Sequence, residues 1–498
     1  MRKKLSILSL ATLLILTMIP FSAFAATAVS STTKGSITID NAVDNDTFEA
    51  YKVIDIVYDD ATNNLTHAFN ADFEGYFGGL SPAPLTVEDF AKLASGSKEL
   101  NDVLSGLPEY IKANSISPVK NGTAADGKVA FTDLAMGEYL IIPTSTTSVY
   151  QLMLQKLEPK VDNKAYVLDN VTVNAKKAEV SVTKAADKTS VTKGEAVTYT
   201  ITADIPNYLL SAKKKTFKIV DTLESGLTLV QDSINVKFSN GDPVAADMYS
   251  LSKDNSGFTL NVSNSQYDDT WKAMAEGNIQ LVITYKATLD DAATSDDVIE
   301  AYNTQENNKA DYTYVSYPYT ADAAEKTKSA EVDVNSFIIK IDKHAKGDID
   351  NKLEGATFSL YRTLRDGETA ATVDIPGTGI IKKQGILLEA DLTTNANGEI
   401  QFKKYEANAA KYDYYLVETK APSGYNLLQG AIKVNFTDDE VSGTNGIYTV
   451  QVENSTGLQL PITGDVGTFL MSLAGLALMG GAVVLLLINR KKRASENN

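Results

Sequence analysis

Cysteine is absent from all 498 residues. The chain therefore has no disulfide, no thiolate nucleophile and no Cys-ligated metal. Its two histidines, His67 and His344, are too few for the usual zinc ligand sets and poor material for a His-based triad. Tryptophan occurs once, as Trp271. Positive charge is in deficit: 46 Lys and Arg stand against 63 Asp and Glu, for a net charge of −17. Such acidity argues against nucleic acid and anionic lipid as partners and suits a soluble, self-repelling surface. No cofactor site and no metal site is expected. Asp40, Asp44 and Asp46, and likewise Asp348 and Asp350, lack the EF-hand spacing with its glycine and closing glutamate, so they are read as turn-forming residues.

Long apolar runs lie at the two ends. Arg2, Lys3 and Lys4 precede an apolar stretch over residues 5–19 and a small-residue site at Ala23-Phe24-Ala25, the pattern of a secretory signal peptide over 1–25. At the other end, residues 466–488 form an uncharged run of 23 residues, long enough to cross a bilayer as a helix. Arg490-Lys491-Lys492-Arg493 follows it and fits a cytoplasmic stop, so 465–498 is read as a transmembrane helix with a basic tail. Just outside that span stand Leu460, Pro461, Ile462, Thr463 and Gly464. This pentapeptide resembles the L-P-x-T-G sorting signal of Gram-positive surface proteins. The resemblance implies cleavage by a sortase between Thr463 and Gly464 and attachment of the product to peptidoglycan.

Between the processed ends the length suits about three domains. Frequent Tyr, Thr, Val and Ile in short alternating runs, separated by Gly, Asn and Asp, predict an all-β chain of tandem immunoglobulin-like β-sandwiches. The first is placed over 26–177, with a helical insertion starting at the N-cap Thr86 and carrying Phe90, Leu93, Leu100, Val103 and Leu104. The second is placed over 178–335 and the third over 336–459.

The last two segments open alike. Residues two apart in a strand share a face, so Val180, Val182 and Lys184 point together, as do Phe337, Ile339, Ile341 and Lys343. Each lysine thus joins an apolar face. It either snorkels to water from a strand end, or is buried and shifted toward the neutral, nucleophilic amine.

The stretches Leu353-Glu354-Gly355-Ala356-Thr357-Phe358 and Tyr415-Leu416-Val417-Glu418-Thr419-Lys420-Ala421-Pro422-Ser423-Gly424-Tyr425 are similar to the signatures of CnaB-type domains, the second to the "E-box" of Gram-positive pilins. That resemblance implies a spontaneous Lys–Asn isopeptide bond from Lys343 to Asn454, promoted by Glu418, with Lys340 as the competing lysine. The middle segment resembles the second domain of backbone pilins. Lys184-Ala185-Ala186-Asp187-Lys188, Asp221-Thr222-Leu223 and Asn308-Lys309-Ala310 carry the likeness and imply a bond from Lys184 to Asn308 with Asp221 as acid. Asn303 and Asn307 are alternatives. A protonated carboxyl can polarise the amide, and folding supplies proximity and orientation. The reaction occurs once per domain, so the chain modifies itself without being an enzyme.

Val171-Thr172-Val173-Asn174-Ala175-Lys176-Lys177 is similar to the pilin motif V-x-V-Y-P-K, with Asn174-Ala175 in place of Tyr-Pro. The resemblance implies that Lys176, or else Lys177, accepts the Thr463 acyl group of another subunit. The expected protein is a major pilin backbone subunit, exported, polymerised and anchored to the wall. Its expected partners are sortase, identical pilin subunits, ancillary pilins, peptidoglycan and host surface ligands. The other readings are a singly anchored ancillary pilin or adhesin, and a wall-anchored enzyme with paired carboxylates.

Overall fold

Period-two alternation builds most of the chain. The strand Ala196–Asp204 buries every second side chain, as does its neighbour Gln280–Leu289 over most of its length. The computed structural model describes residues 29–162, 165–223, 226–290, 308–409, 411–457 and the helical residues 476, 478 and 479. The signal peptide, the sorting motif 460–464 and the rest of the apolar run lie outside the described residues. Among the described residues no helix is long and apolar enough to cross a membrane.

Packing divides the chain into two units. The first takes the residues up to Glu179, with Pro206–Lys215 and Val315–Lys326; the second takes the remainder. The sequence division at 177/178 does not anticipate the two later segments. Inside the first unit Leu209, Ala212 and Tyr319 form a small apolar cluster with Leu152 and Tyr317, and the Tyr319 hydroxyl donates to the Tyr150 carbonyl at 3.1 Å.

In the first unit the opening strand Lys34–Asp40 lies between Lys128–Ala135, antiparallel, and Val171–Asn174, parallel. The facing sheet runs in the order Asn64–Phe69, Thr47–Asp59, Gly137–Ser145, Met153–Leu157. The helical insertion is broken where the apolar pattern alone predicts continuity. Val87–Ala91 is capped by Thr86, which accepts from the Asp89 amide, and Lys98–Ala113 is capped anew by Ser97. The first helix ends at the C-cap Lys92, and Gly96, at φ +77°, takes a left-handed conformation directly before Ser97 that re-aims the chain for the next helix.

The second unit holds two sandwiches. In the middle one, Val182–Ala186, Ala196–Asp204, Gln280–Leu289 and Leu227–Phe238 face a sheet ordered Ser250–Asp254, Gly257–Val262, Phe217–Thr222, Asn308–Val315, Glu325–Val332. In the last one, Phe337–Ala345 lies between Glu399–Tyr405, antiparallel, and Ile447–Asn454, parallel. Its facing sheet contains, in order, Gln384–Thr393, Thr357–Thr363, Tyr414–Lys420 and Ile432–Val434. This is the strand order of the first domain. The two domains share one topology although their sequences show little in common beyond Thr47-Phe48 and Thr357-Phe358, each of which is followed by a Tyr three residues after the Phe.

Candidate functional site

In the last sandwich the parallel register sets Lys343 opposite Val452 and Ala345 opposite Asn454. Lys343 and Asn454 alternate inward from neighbouring strands and meet across the core face. Lys343, Glu418 and Asn454 are 0%, 4% and 1% exposed. The Lys343 Nζ donates to Asn454 Oδ1 at 2.5 Å and to the Val452 carbonyl at 3.1 Å. Asn454 Nδ2 donates to both Glu418 oxygens, at 2.9 and 3.0 Å, and to the Asn426 carbonyl at 2.9 Å. The Leu428 amide fixes Glu418 Oε2 at 2.7 Å. Burial pulls the Lys343 amine down to about 8, against the opposing pull of Glu418. Lys340, on the other face of the strand, pairs with Glu399 at the surface and takes no part.

The middle sandwich builds its own cluster from different strands. The side chains of Lys184 and Asp221 are wholly buried, and Asn308 is 1% exposed. The Lys184 Nζ donates to Asp221 Oδ2 at 2.6 Å and to Asn308 Oδ1 at 2.5 Å. The Tyr285 hydroxyl donates to Asp221 Oδ1 at 2.8 Å and accepts from Asn308 Nδ2 at 3.2 Å. The Lys184 Nζ also lies 5.4 and 5.7 Å from the ring centres of Tyr199 and Tyr285, an aromatic floor that excludes water. Burial pulls the Lys184 amine down to about 8, outweighing the Asp221 contacts. Burial likewise pushes the Asp221 carboxyl above its ordinary range, against the lowering effect of Lys184 and Tyr285. Both directions favour a neutral amine beside a neutral acid, the protonation states that attack on an amide requires. Asn303 and Asn307, the alternative electrophiles, lie outside the described residues. Tyr285, the Asn426 carbonyl and the Leu428 amide escape sequence reasoning. Tyr285 reads as one more inward aromatic between Ile283 and Ala287, and the other two contribute backbone atoms.

Three family profiles match along the chain. Residues 193–318 match the Gram-positive pilin backbone subunit 2, Cna-B-like domain, and residues 337–453 match the SpaA prealbumin-like fold domain. Residues 453–495 match the LPXTG cell wall anchor motif. The chain is similar to the fimbrial subunit type 1 of Actinomyces viscosus, 25% identical and covering 81% of this chain and 82% of that protein. It is also similar to the trypsin-resistant surface T6 protein of Streptococcus pyogenes, 24% identical over 67% of this chain and 72% of that one. In fold it resembles the three-domain T6 backbone pilin of S. pyogenes, with a TM-score of 0.57 at 18% identity, covering 82% and 81% of the two chains. It likewise resembles the full-length major pilin SpaD of Corynebacterium diphtheriae, with a TM-score of 0.52 at 19% identity, covering 86% and 99%. The chain belongs to the Gram-positive backbone pilins. Its anchor motif places it on the cell wall.

In this pilin the first domain has the third domain's topology but different residues at the corresponding places. Lys343 stands two residues beyond Ile341; two beyond the matching Ile39 stands Asn41, whose Nδ2 reaches the Ala175 carbonyl at 3.4 Å. Glu418 pairs with Phe358; the partner of the matching Phe48 is Pro143. Neither the amine nor the acid is present. Asp46 is buried here instead, held by the Tyr150 hydroxyl at 2.8 Å and the Thr147 amide at 3.1 Å. Asp40 pairs with Lys128 at 2.9 Å, Asp44 accepts from the Gly127 amide at 2.8 Å, and Asp348 accepts from the Asp350 amide at 3.3 Å. All four thus serve the strands and turns around them.

The two candidate acceptor lysines differ sharply. Lys177 lies in a short strand paired with Val149–Tyr150; its side chain is 14% exposed and its Nζ is 3.8 Å from Glu179. Lys176 is exposed. It stands at the rim of a cavity of about 260 Å³ whose wall includes Leu93, Gly96, Leu104, Leu152 and Val173. That cavity is lined by the helical insertion and the strand carrying the pilin motif, so the insertion shapes the surroundings of the exposed amine.

Proposed function

We propose that the pilin polymerises by transfer of its Thr463 acyl group, released by sortase cleavage before Gly464, to the Lys176 amine of the next subunit. We propose also that two internal isopeptide bonds, Lys184–Asn308 and Lys343–Asn454, stiffen each subunit. The observation that carries the second statement is the pair of buried clusters, in each of which a lysine amine, an amide and a carboxyl lie within hydrogen-bonding reach as a connected set. The acids are Asp221 and Glu418. Burial holds the amine neutral enough to attack, and the fold supplies the orientation that a free lysine and asparagine lack. Each bond forms once and releases ammonia.

Lys176 is the better acceptor because it is exposed beside a cavity, whereas Lys177 is held in a strand pair next to Glu179. A nucleophile used by another protein must be reachable. The domain division 26–177, 178–335 and 336–459 follows from the same reading, with the acceptor at the end of the first domain. Ancillary pilins, peptidoglycan and host surface ligands are the further partners expected of a wall-anchored fibre.

The test is Lys176→Ala in cells that express the matching sortase. The ladder of high-mass polymer on a denaturing gel is lost, and monomer remains on the wall. Lys177→Ala leaves the ladder unchanged. The opposite pattern transfers the role to Lys177.

A further inference from the structure

The two clusters differ at the nitrogen that has to leave. In the third domain both oxygens of Glu418 touch Asn454 Nδ2 directly. In the middle domain the acid is an aspartate, one methylene shorter. Its Oδ2 is taken by the Lys184 amine and its Oδ1 by the Tyr285 hydroxyl. Among the described residues it is that hydroxyl which touches Asn308 Nδ2, at 3.2 Å. Tyr285 therefore fills the space that the longer carboxylate spans by itself in the third domain.

We propose that Tyr285 is a catalytic residue of the middle-domain cross-link, relaying a proton from Asp221 to the departing nitrogen of Asn308. The proposal rests on the reading that Lys184 and Asn308 become joined. The neutral Lys184 Nζ attacks Asn308 Cγ, forming the Nζ–Cγ bond as the carbonyl electron pair moves onto Oδ1. The surplus proton on Nζ passes to Asp221 Oδ2, 2.6 Å away. Asp221, protonated at Oδ1, gives that proton to the Tyr285 oxygen while Tyr285 gives its own to Nδ2. The Cγ–Nδ2 bond breaks, ammonia leaves, and the pair on Oδ1 restores the carbonyl. Asp221 ends protonated on its other oxygen, and Tyr285 ends as it began. The relay needs only a reversal of two hydrogen bonds that the hydroxyl already makes.

The surroundings hold this hydroxyl in place. Tyr285 lies opposite Tyr199 in the antiparallel register, their rings stacked at 5.2 Å, and Phe258 packs edge-on at 5.2 Å. Burial pushes the Tyr285 hydroxyl far above its ordinary value, so it stays protonated between transfers. A relay that never ionises suits a pocket where a phenolate would be costly.

The experiment is intact-mass and linked-peptide analysis of the mature chain, sampled over time after folding, with the third-domain bond as internal control. The parent lacks two ammonias, about 17 Da each. Tyr285→Phe keeps the ring and the stack but lacks the hydroxyl. Its Lys184–Asn308 bond is expected to form at least ~100-fold more slowly, the lower side of what a positioned proton-transfer group contributes, while Lys343–Asn454 forms normally. Asp221→Glu added to Tyr285→Phe restores the bond, because the longer carboxyl then reaches Nδ2 as Glu418 does. Closure of Tyr285→Phe at the parental rate overturns the relay. So does failure of the double variant to recover when its near-ultraviolet circular dichroism matches the parent, for Tyr285 then serves packing alone. A parent that never forms the Lys184–Asn308 bond overturns the underlying reading as well, and is told apart by its own mass.

Discussion

Glu418→Gln removes the acid of the third-domain cluster while keeping its size. The Lys343–Asn454 bond should then fail to form, and the mature chain should retain one more ammonia, about 17 Da, beyond the ~1 Da that the substitution itself removes. The bond closes a loop spanning 111 positions. Loop-closure entropy for about 100 residues is worth about 5 kcal/mol. Unfolding entropy near 2.1 cal/mol/K per residue gives about 0.25 kcal/mol/K for a domain of this size, so the Tm of the third domain should fall by about 20 °C. A second cost appears because Lys343 is now a free amine, buried, with its pKa pulled below the ordinary 10.5: to about 8 with Glu418 beside it, and further down once Glu418 no longer raises it. Below that folded-state value the amine is charged in both folded and unfolded states, and folding bears the full cost, at least about 3 kcal/mol. Between that value and 10.5 the unfolded chain holds more protons, so this part of the destabilisation fades as pH rises. Calorimetry at pH 7 and pH 10, with intact mass on the same samples, separates the two contributions. An unchanged ammonia count refutes Glu418 as the acid. A gained ammonia with an unchanged Tm at both pH values refutes the loop-closure argument.

Asp221→Ala should likewise restore one ammonia while leaving the third-domain bond, read from the linked Lys343–Asn454 peptide. The parent chain should lack two ammonias and not three, because Asn41 and Pro143 occupy the places of the lysine and the acid in the first domain; a linked peptide from residues 29–179 in the mass spectrum would contradict this.

Much of the third-domain site was legible because its parts lie in contiguous, patterned stretches. A lysine ending an alternating apolar strand and a glutamate inside a long signature are local facts. The middle site was legible only as far as its lysine, acid and asparagine. Tyr285 carries no local mark, since an inward tyrosine in an apolar strand is ordinary core until the neighbouring sheet brings Asp221 and Asn308 to its hydroxyl. The first domain hid its kinship to the third for the opposite reason. Strand order is set by which strands pair over long separations, and the helical insertion with its capped restart at Ser97 interrupts the local pattern. The separation of Lys176 from Lys177 also needed tertiary information, because only the pairing with Val149–Tyr150 shows which of two adjacent lysines is held down.

The positions of the bonds and of the acceptor lysine make one argument together. A subunit joined at Lys176 and Thr463 carries tension between those two residues. If Lys184 is bonded to Asn308 and Lys343 to Asn454, the covalent path runs through 176–184, across the first bond, through 308–343, across the second, and through 454–463. The stretches 184–308 and 343–454 bear no load, whereas the strands Asn308–Val315 and Glu325–Val332 and the start of Phe337–Ala345 lie on the path. Everything before Lys176 lies off this path, which accounts for a first domain that keeps the third domain's topology without its amine and acid. Pulling a single subunit between residues 176 and 463 should therefore release neither the stretch 184–308 nor the stretch 343–454. Asp221→Ala should release the stretch between positions 184 and 308, a separation of 124, and so a step of about 400 Å at roughly 3.4 Å per extended residue. Glu418→Gln should release a slightly shorter one, in keeping with its separation of 111. Steps of this length in the parent would mean that the load passes through the sandwiches, and that the buried lysines are structural and not joined.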